Sequence, residues 1–302
     1  MPQLAARRSS ASAGSLSPLA YTGLALLFSL LWASAFIAVK VALVSSPPLF
    51  LMSVRFLVAG GVLLLLAWLG GHALPSGGRD WTRLAVLGLL NYAAYLGISA
   101  VGLTFVTAGL GAVLASTNPL ILAGVAAVVL GERLGALKLA GLGIAFGSVV
   151  LVMSSRLGES AEPLGMVLLL VANGVMVAGT VLFKRWVPTQ GLTVLNGVQL
   201  LVAGVALLAP SLLIEPLAEV RWTPSFLAAI LYLAFAVSCG AMAIWFVLLR
   251  RGDASKASAY LFLNPLLGLA LGGLLLGEPL RAADLLGGLG VGLGVYLVQR
   301  AR

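Results

Sequence analysis

The chain is poor in charge. Only 9% of its 302 residues are Asp, Glu, Lys or Arg, while 61% are hydrophobic. So little polar surface cannot cover a compact water-soluble domain, and that class is excluded. Cysteine occurs once, as Cys239, which rules out a disulfide within the chain. Histidine also occurs once, as His72, and no cluster of His, Cys, Asp and Glu has the spacing of a metal site or of a nucleophile with its base. An enzyme is therefore disfavoured, and neither a metal nor another cofactor is expected. The absence of a Walker-type phosphate loop removes a built-in ATPase. No Asp or Glu falls in the middle of an apolar run, so a proton relay across a membrane lacks an evident carrier.

What the chain has instead is a succession of apolar runs long enough to cross a hydrocarbon core of ~30 Å. Ten spans are expected, at about 19–43, 48–70, 82–102, 105–130, 136–154, 164–186, 192–213, 224–248, 255–276 and 283–299. The lipid bilayer is thus the first partner. The net charge of +9 could point to nucleic acid, but the basic residues lie in connectors and tails, where they report topology instead. With the N-terminus inside, Arg7, Arg8, Arg79, Arg83, Arg133, Lys138, Lys184, Arg185, Arg250, Arg251, Lys256, Arg300 and Arg302 fall on the inner side. The outer connectors hold only Arg156, Arg221 and Arg281. Both termini are expected in the cytoplasm, with residues 1–17 as a polar tail. A signal peptide cleaved near Ala33-Ser34-Ala35 would remove the first span and break the pattern that follows.

That pattern is a duplication. Asn118-Pro119 followed by Gly131-Glu132-Arg133-Leu134 recurs, at one constant offset, as Asn264-Pro265 followed by Gly277-Glu278-Pro279-Leu280. Val54 to Gly60 likewise matches Val198 to Gly204, and Trp81-Thr82 recurs as Trp222-Thr223. Residues 18–156 and 160–302 then form two five-helix repeats. Five is odd, so the second repeat enters the membrane from the opposite side. Inverted repeats are the architecture of secondary transporters, whose substrate site lies near mid-depth between the halves.

Ten spans in two such repeats, with Asn-Pro and Gly-Glu-x-Leu closing the fourth and ninth, resemble the EamA family of the drug/metabolite transporter superfamily over nearly the whole chain. Within it the chain is similar to bacterial aromatic amino-acid exporters of the YddG kind. The resemblance implies an all-α integral protein of the bacterial inner membrane, exporting aromatic and other neutral amino acids by alternating access. Other members of the superfamily move drugs, nucleotide sugars or phosphorylated metabolites. A solute channel is the rival of a different class. A monomer is expected, and uncoupled uniport is the first expectation for the mechanism.

Polar and aromatic residues at central depth supply a candidate cavity wall. They are Trp32 and Phe36 in the first span, Asn91, Tyr92, Tyr95 and Ser99 in the third, and Asn173 and Met176 in the sixth. Ser238, Met242 and Trp245 in the eighth, and Tyr260 and Asn264 in the ninth, complete the set. Lys40 and Arg55 are charged residues within spans; Arg55 could attract a carboxylate-bearing substrate or serve as an anchor, and Lys40 reads as a snorkelling anchor. Asn118, Pro119 and Pro265 are expected at kinks that act as hinges, because proline frees the carbonyl four residues earlier. The Gly-Glu pairs suit helix ends, with glycine as a left-handed cap and the carboxylate at the start of the next helix. Gly143, Gly147, Gly288, Gly290, Gly292 and Gly294 read as packing glycines.

Overall fold

The computed structural model describes residues 17–106, 114–115, 117–154, 162–186, 188–276 and 282–301. The polar tail, the Gly277-Glu278-Pro279-Leu280 copy of the motif, and Arg156, Arg281 and Arg302 lie outside them. Among the described residues there is no strand. The helices are α1 Pro18–Leu43, α2 Pro48–Leu69, α3 Gly78–Phe105, α4 Asn118–Leu130, α5 Ala136–Ser154, α6 Pro163–Trp186, α7 Leu192–Ile214, α8 Pro224–Arg251 and α10 Ala282–Arg300. Between α8 and α10, α9 comprises Ala254–Ala259, one 3-10 turn at Tyr260–Phe262, and Leu263–Leu276. Six of these, α1, α2, α3, α6, α7 and α8, are long and apolar enough to cross a membrane, and α4, α5 and α10 contain shorter apolar stretches.

Local chemistry sets the helix starts. Pro18, Pro48 and Pro224 occupy first-turn positions, where the missing N–H costs nothing and the ring angle already suits a helix. Ser17 and Thr223 add side-chain caps, accepting from the amides of Ala20 and Phe226 at 3.2 Å. Gly131 ends α4 in the left-handed conformation at φ 69°, as expected of it.

Three departures from expectation concern helix interiors. First, Pro119 does not kink a continuous helix; it sits in the first turn of α4, which begins at Asn118. Second, α3 and α8 each contain a π-helical stretch, Leu89–Ala94 and Leu233–Ala241. These stretches turn the residues they carry away from the faces a regular α-helix would give them. Third, only two of the expected glycines, Gly290 and Gly294, pack closely, and Gly141 joins them. A Cβ placed on Gly143, Gly147, Gly288 or Gly292 would meet nothing within 4 Å, whereas one on Gly294 would sit 2.5 Å from the Gly141 carbonyl oxygen. Gly141 and Gly294 thus bring the backbones of α5 and α10 together.

The other large crossing joins α2 to α7. There Gly60 and Gly204, which end the second matched sequence pair, both lie at closest approach. A Cβ on Gly60 would fall 2.8 Å from the Leu201 amide, and one on Gly204 would fall 2.7 Å from the Leu57 side chain. Small residues at these points let helices pack closely in lipid, where no hydrophobic force pulls them together.

The two ends of the bundle differ in charge. Arg79, Arg83, Arg133, Lys138, Lys184, Arg185, Arg250, Arg251, Lys256 and Arg300 gather at one end, tied together by bonds such as Arg250 to the Pro188 and Gln190 carbonyls. The opposite end holds Glu162, Glu215, Glu219 and Arg221, with Glu215 accepting from the amides of Leu49 and Phe50 at 2.7 and 2.8 Å.

Gly294→Ala is expected to destabilise the fold by about 1–3 kcal/mol through overpacking. Gly143→Ala, on an open face, should leave the unfolding temperature in detergent unchanged or slightly raised. Thermal unfolding of both variants checks this; equal shifts would contradict the packing described.

Candidate functional site

Broken helices at mid-depth frame the site. The Leu114 carbonyl, just ahead of α4, accepts from the Asn173 amide of α6 at 2.7 Å. The Tyr260 carbonyl, in the 3-10 turn of α9, accepts from the Ser29 hydroxyl of α1 at 3.0 Å. Leu114 and Tyr260 each stand five residues before the proline of an Asn-Pro pair, so the two bonds occupy equivalent places in the two copies. Each holds the first helix of one copy against the interrupted helix of the other. Asn118 and Asn264 are both buried, and the side-chain oxygen of each lacks a partner.

Among α1, α2, α3, α6 and α8 lies a cavity with about 650 Å³ of empty space, its open mouth included. Its wall includes Trp32, Phe36, Arg55, Tyr95, Ser99 and Asn173, all expected there, together with Met52, Leu103, Ala115, Leu169 and Val237. Val39, Met52, Leu103 and Leu169 lie near connectors opposite the basic end, so the cavity extends from mid-depth toward that end.

A smaller chamber, with room for about one water molecule, lies on the other side of Trp32 and Tyr95. Those two residues, with Phe28, Asn91, Met176, Met242 and Trp245, line it. The Trp32 and Tyr95 rings are parallel to within 3°, with centroids 6.5 Å apart, and they separate the two spaces. Phe28 stacks on Trp245 at 5.1 Å and leans on Trp32 at 5.5 Å, closing the chamber toward the basic end.

Among the described residues, Arg55 carries the one charge in the larger cavity's wall. Its side chain is 3% exposed. The guanidinium Nε donates to the Ser238 hydroxyl at 2.8 Å, Nη1 approaches the Met52 sulfur at 3.8 Å, and the group lies 5.4 Å from the Phe56 ring centroid. Among the described residues no carboxylate pairs with it. Behind it runs a buried polar chain: the Asn196 amide donates to the Ser238 carbonyl at 2.7 Å, and the Tyr92 hydroxyl donates to the Asn196 side-chain oxygen. The arrangement fixes Arg55 through its Nε and Nη1.

Several expected lining residues stand elsewhere. Tyr92 is fully buried against Phe56 at 5.5 Å, because the π-helical stretch turns it toward α2 and α7. Ser238 is also fully buried and serves as an acceptor for Arg55. Tyr260 faces α1, its hydroxyl 3.3 Å from Thr22, and Asn264 borders neither space. Lys40 is exposed on the helix exterior, where a long cationic side chain can reach the interface. Asn196 and Gln199 escaped sequence reasoning. An amide pair within an apolar run was the available signal, and Gln199 aligns with Arg55 in the duplication.

The basic end is closed by a carboxylate. Glu132 accepts from the amides of Ala254 and Ser255 at 2.8 and 3.4 Å and from the Ser255 hydroxyl, while Lys138 lies 3.4 Å away. It therefore caps α9 in the other copy, and not α5, the next helix, as expected from the sequence. Lys184 reinforces the closure by donating to the Leu249 carbonyl at 2.8 Å. Burial alone would raise the Glu132 pKa, but the bonds from Ser255 and Ala254 and the charge of Lys138 outweigh it and hold it below the ordinary glutamate value.

The sequence of each half matches one family profile, described as the EamA-like transporter family, over residues 20–154 and again over 163–300. The chain belongs to this family. Among curated relatives it is 28% identical to the uncharacterized transporter YvbV of Bacillus subtilis, over 86% of this chain and 85% of that one. It is 31% identical to the inner membrane transporter YedA of Escherichia coli K12, over 84% and 82%. Protein PecM of Dickeya dadantii is also 31% identical, over 89% and 88%. A solved crystal structure superposes with a TM-score of 0.80 at 19% identity, covering 93% of this chain and 98% of that one, and shares the fold. The protein is thus a multi-pass membrane transporter of the drug/metabolite superfamily.

A carboxylate whose pKa is depressed in the folded state stabilises the fold above its unfolded pKa, and that stability is lost as pH falls through the folded value. Thermal unfolding measured between about pH 4 and 7 should therefore show the wild type losing stability toward acid. Glu132→Gln should be less stable at neutral pH and flatter with pH. Parallel curves for the two proteins would contradict the role of Glu132.

Proposed function

We propose that the protein exports amino acids, aromatic and other neutral ones favoured, across the bacterial inner membrane by alternating access. Ten helices in two inverted five-helix repeats would provide the frame, with the basic end and both termini in the cytoplasm. Two findings support that frame: the family profile matches each half, and the Ser29 and Asn173 bonds recur at equivalent positions. The charge difference between the ends supports the orientation. The cavity would then face outward in this structure, with the cytoplasmic side shut by Glu132, Lys184 and the Phe28–Trp245 stack. Pro119 and Pro265, beside the helix breaks, would serve as hinges.

The observation that carries the substrate reading is Arg55. Burying a cation without a counter-charge costs several kcal/mol, and a bound carboxylate would offset much of that cost. Trp32, Phe36 and Tyr95 beside it offer flat apolar faces to the rest of the substrate. A phosphorylated metabolite would want several converging cations, and Lys40 faces outward instead. Among the described residues no acidic side chain lines either space, which favours uniport over direct proton coupling.

Arg55→Gln is expected to reduce tryptophan flux into proteoliposomes by about 10- to 100-fold, the equivalent of ~1.5–3 kcal/mol for a charge-assisted hydrogen bond. Arg55→Lys should retain part of it. Full flux in Arg55→Gln, with the protein folded, would favour export of drugs or other uncharged solutes.

A further inference from the structure

At the basic end a second large cavity opens where the α4–α5 connector meets the start of α9 and the end of α10. Its wall carries five charged residues: Glu132, Arg133 and Lys138 from the first half of the chain, Asp253 and Lys256 from the second. It holds about 660 Å³ of empty space, its open mouth included, which is within the roughly 300–1,000 Å³ of ligand sites. Among the described residues none is shared with the wall of the cavity that holds Arg55.

The charges of this wall do not cancel. Glu132 is matched by Lys138 at 3.4 Å and also accepts from the Ala254 amide and the Ser255 hydroxyl. Asp253 lies in the field of Lys184, a cation bonded to the nearby Leu249 carbonyl. With those two pairs set aside, Arg133 and Lys256 are left over, and among the described residues no carboxylate pairs with either. Arg133 is exposed, and its guanidinium finds no acceptor among the described residues. Lys256 gives one hydrogen bond, to the Gln299 carbonyl at 3.3 Å. Lys138 is 3% exposed and has two acceptors, both at 3.4 Å, so one of its three N–H groups is unused.

The cavity lies where lipid-facing surface ends. Val128 near the end of α4 and Leu137 and Leu139 at the start of α5 are exposed apolar residues on either side of the connector that carries Glu132 and Arg133. A basic pocket between helices at that depth suits a phosphate-bearing headgroup. We propose that this cavity binds the headgroup of an anionic phospholipid. The phosphodiester stands between Arg133 of one half and Lys256 of the other, with Lys138 behind it. Asp253 accepts from a headgroup hydroxyl, such as those of phosphatidylglycerol. Because the two free cations come from different halves, the lipid clips the basic end shut beside the bonds of Glu132, whichever solute the protein carries.

Native mass spectrometry of the intact protein in detergent, titrated with phosphatidylglycerol, tests this. The wild type should retain one such lipid, and Arg133→Gln and Lys256→Gln should each weaken its binding about fivefold, the effect of one basic residue near an anionic membrane surface. Arg79→Gln and Arg185→Gln, at the same end but not in the cavity wall, should leave it unchanged. Equal losses in these two would reduce the effect to the general attraction of the basic end and overturn the site. Wild-type affinity in both cavity variants, or no lipid retained by the wild type, would overturn it as well. Should Lys256→Gln fail to fold, Arg133→Gln decides alone, since that side chain is exposed and bonds to nothing described. Displacement of the lipid by glycerol phosphate or inorganic phosphate at equal concentration would assign the cavity to a soluble anion and overturn the lipid.

Discussion

Hydrocarbon supplies no water to backbone polar groups, so those beside a helix start must find their partners within the protein. The Leu114 and Tyr260 carbonyls, each five residues before the proline of an Asn-Pro pair, accept the local amides of Thr117 and Leu263. Each also takes a donor from another helix, Asn173 for Leu114 and Ser29 for Tyr260, so each half ties its first helix to the Asn-Pro segment of the other. That exchange positions α1 against α9 and α6 against α4, and the cavity opens beside these contacts, among α1, α2, α3, α6 and α8. The same constraint explains why Asn and Ser appear on otherwise apolar helices without forming part of any reaction centre.

The second constraint is electrostatic. Arg55 is held in place by Ser238, which belongs to a buried chain that continues through Asn196 to Tyr92. A guanidinium oriented in this way is a fixed positive end in a low-dielectric space, strong toward an anion and poor toward a neutral group. At the basic end the sign is reversed: a carboxylate, Glu132, secures the start of α9 and is itself held by Lys138. One charge faces the cavity and the other faces protein, which separates recognition from closure.

Much of the fold was legible because lipid restricts what a chain can do. A hydrocarbon core demands long apolar runs, and, α4 apart, the helix limits fall within a few residues of those read from the sequence. The Asn-Pro pairs and the Gly60/Gly204 match were visible as repetition; the pairs stand at the start of α4 and of the long part of α9, and the glycines at the crossing of α2 with α7. The site was harder to read. Trp32, Tyr95, Arg55 and Asn173 could be chosen by chemistry and depth, since polar or aromatic residues at mid-depth are costly and few. Tyr92 and Ser238 were misplaced because π-helical stretches shift a helix face and carry no residue signature. Gly143 and Gly294 look alike in sequence, and only the crossing of α5 with α10 tells which one meets a backbone.

Counterflow of labelled tryptophan in proteoliposomes tests most directly whether this cavity binds an amino acid through its carboxylate. The account predicts saturable uptake that internal unlabelled tryptophan accelerates and that tryptamine, which lacks the carboxylate, does not. Equal acceleration by tryptamine, or no counterflow with either, would contradict it.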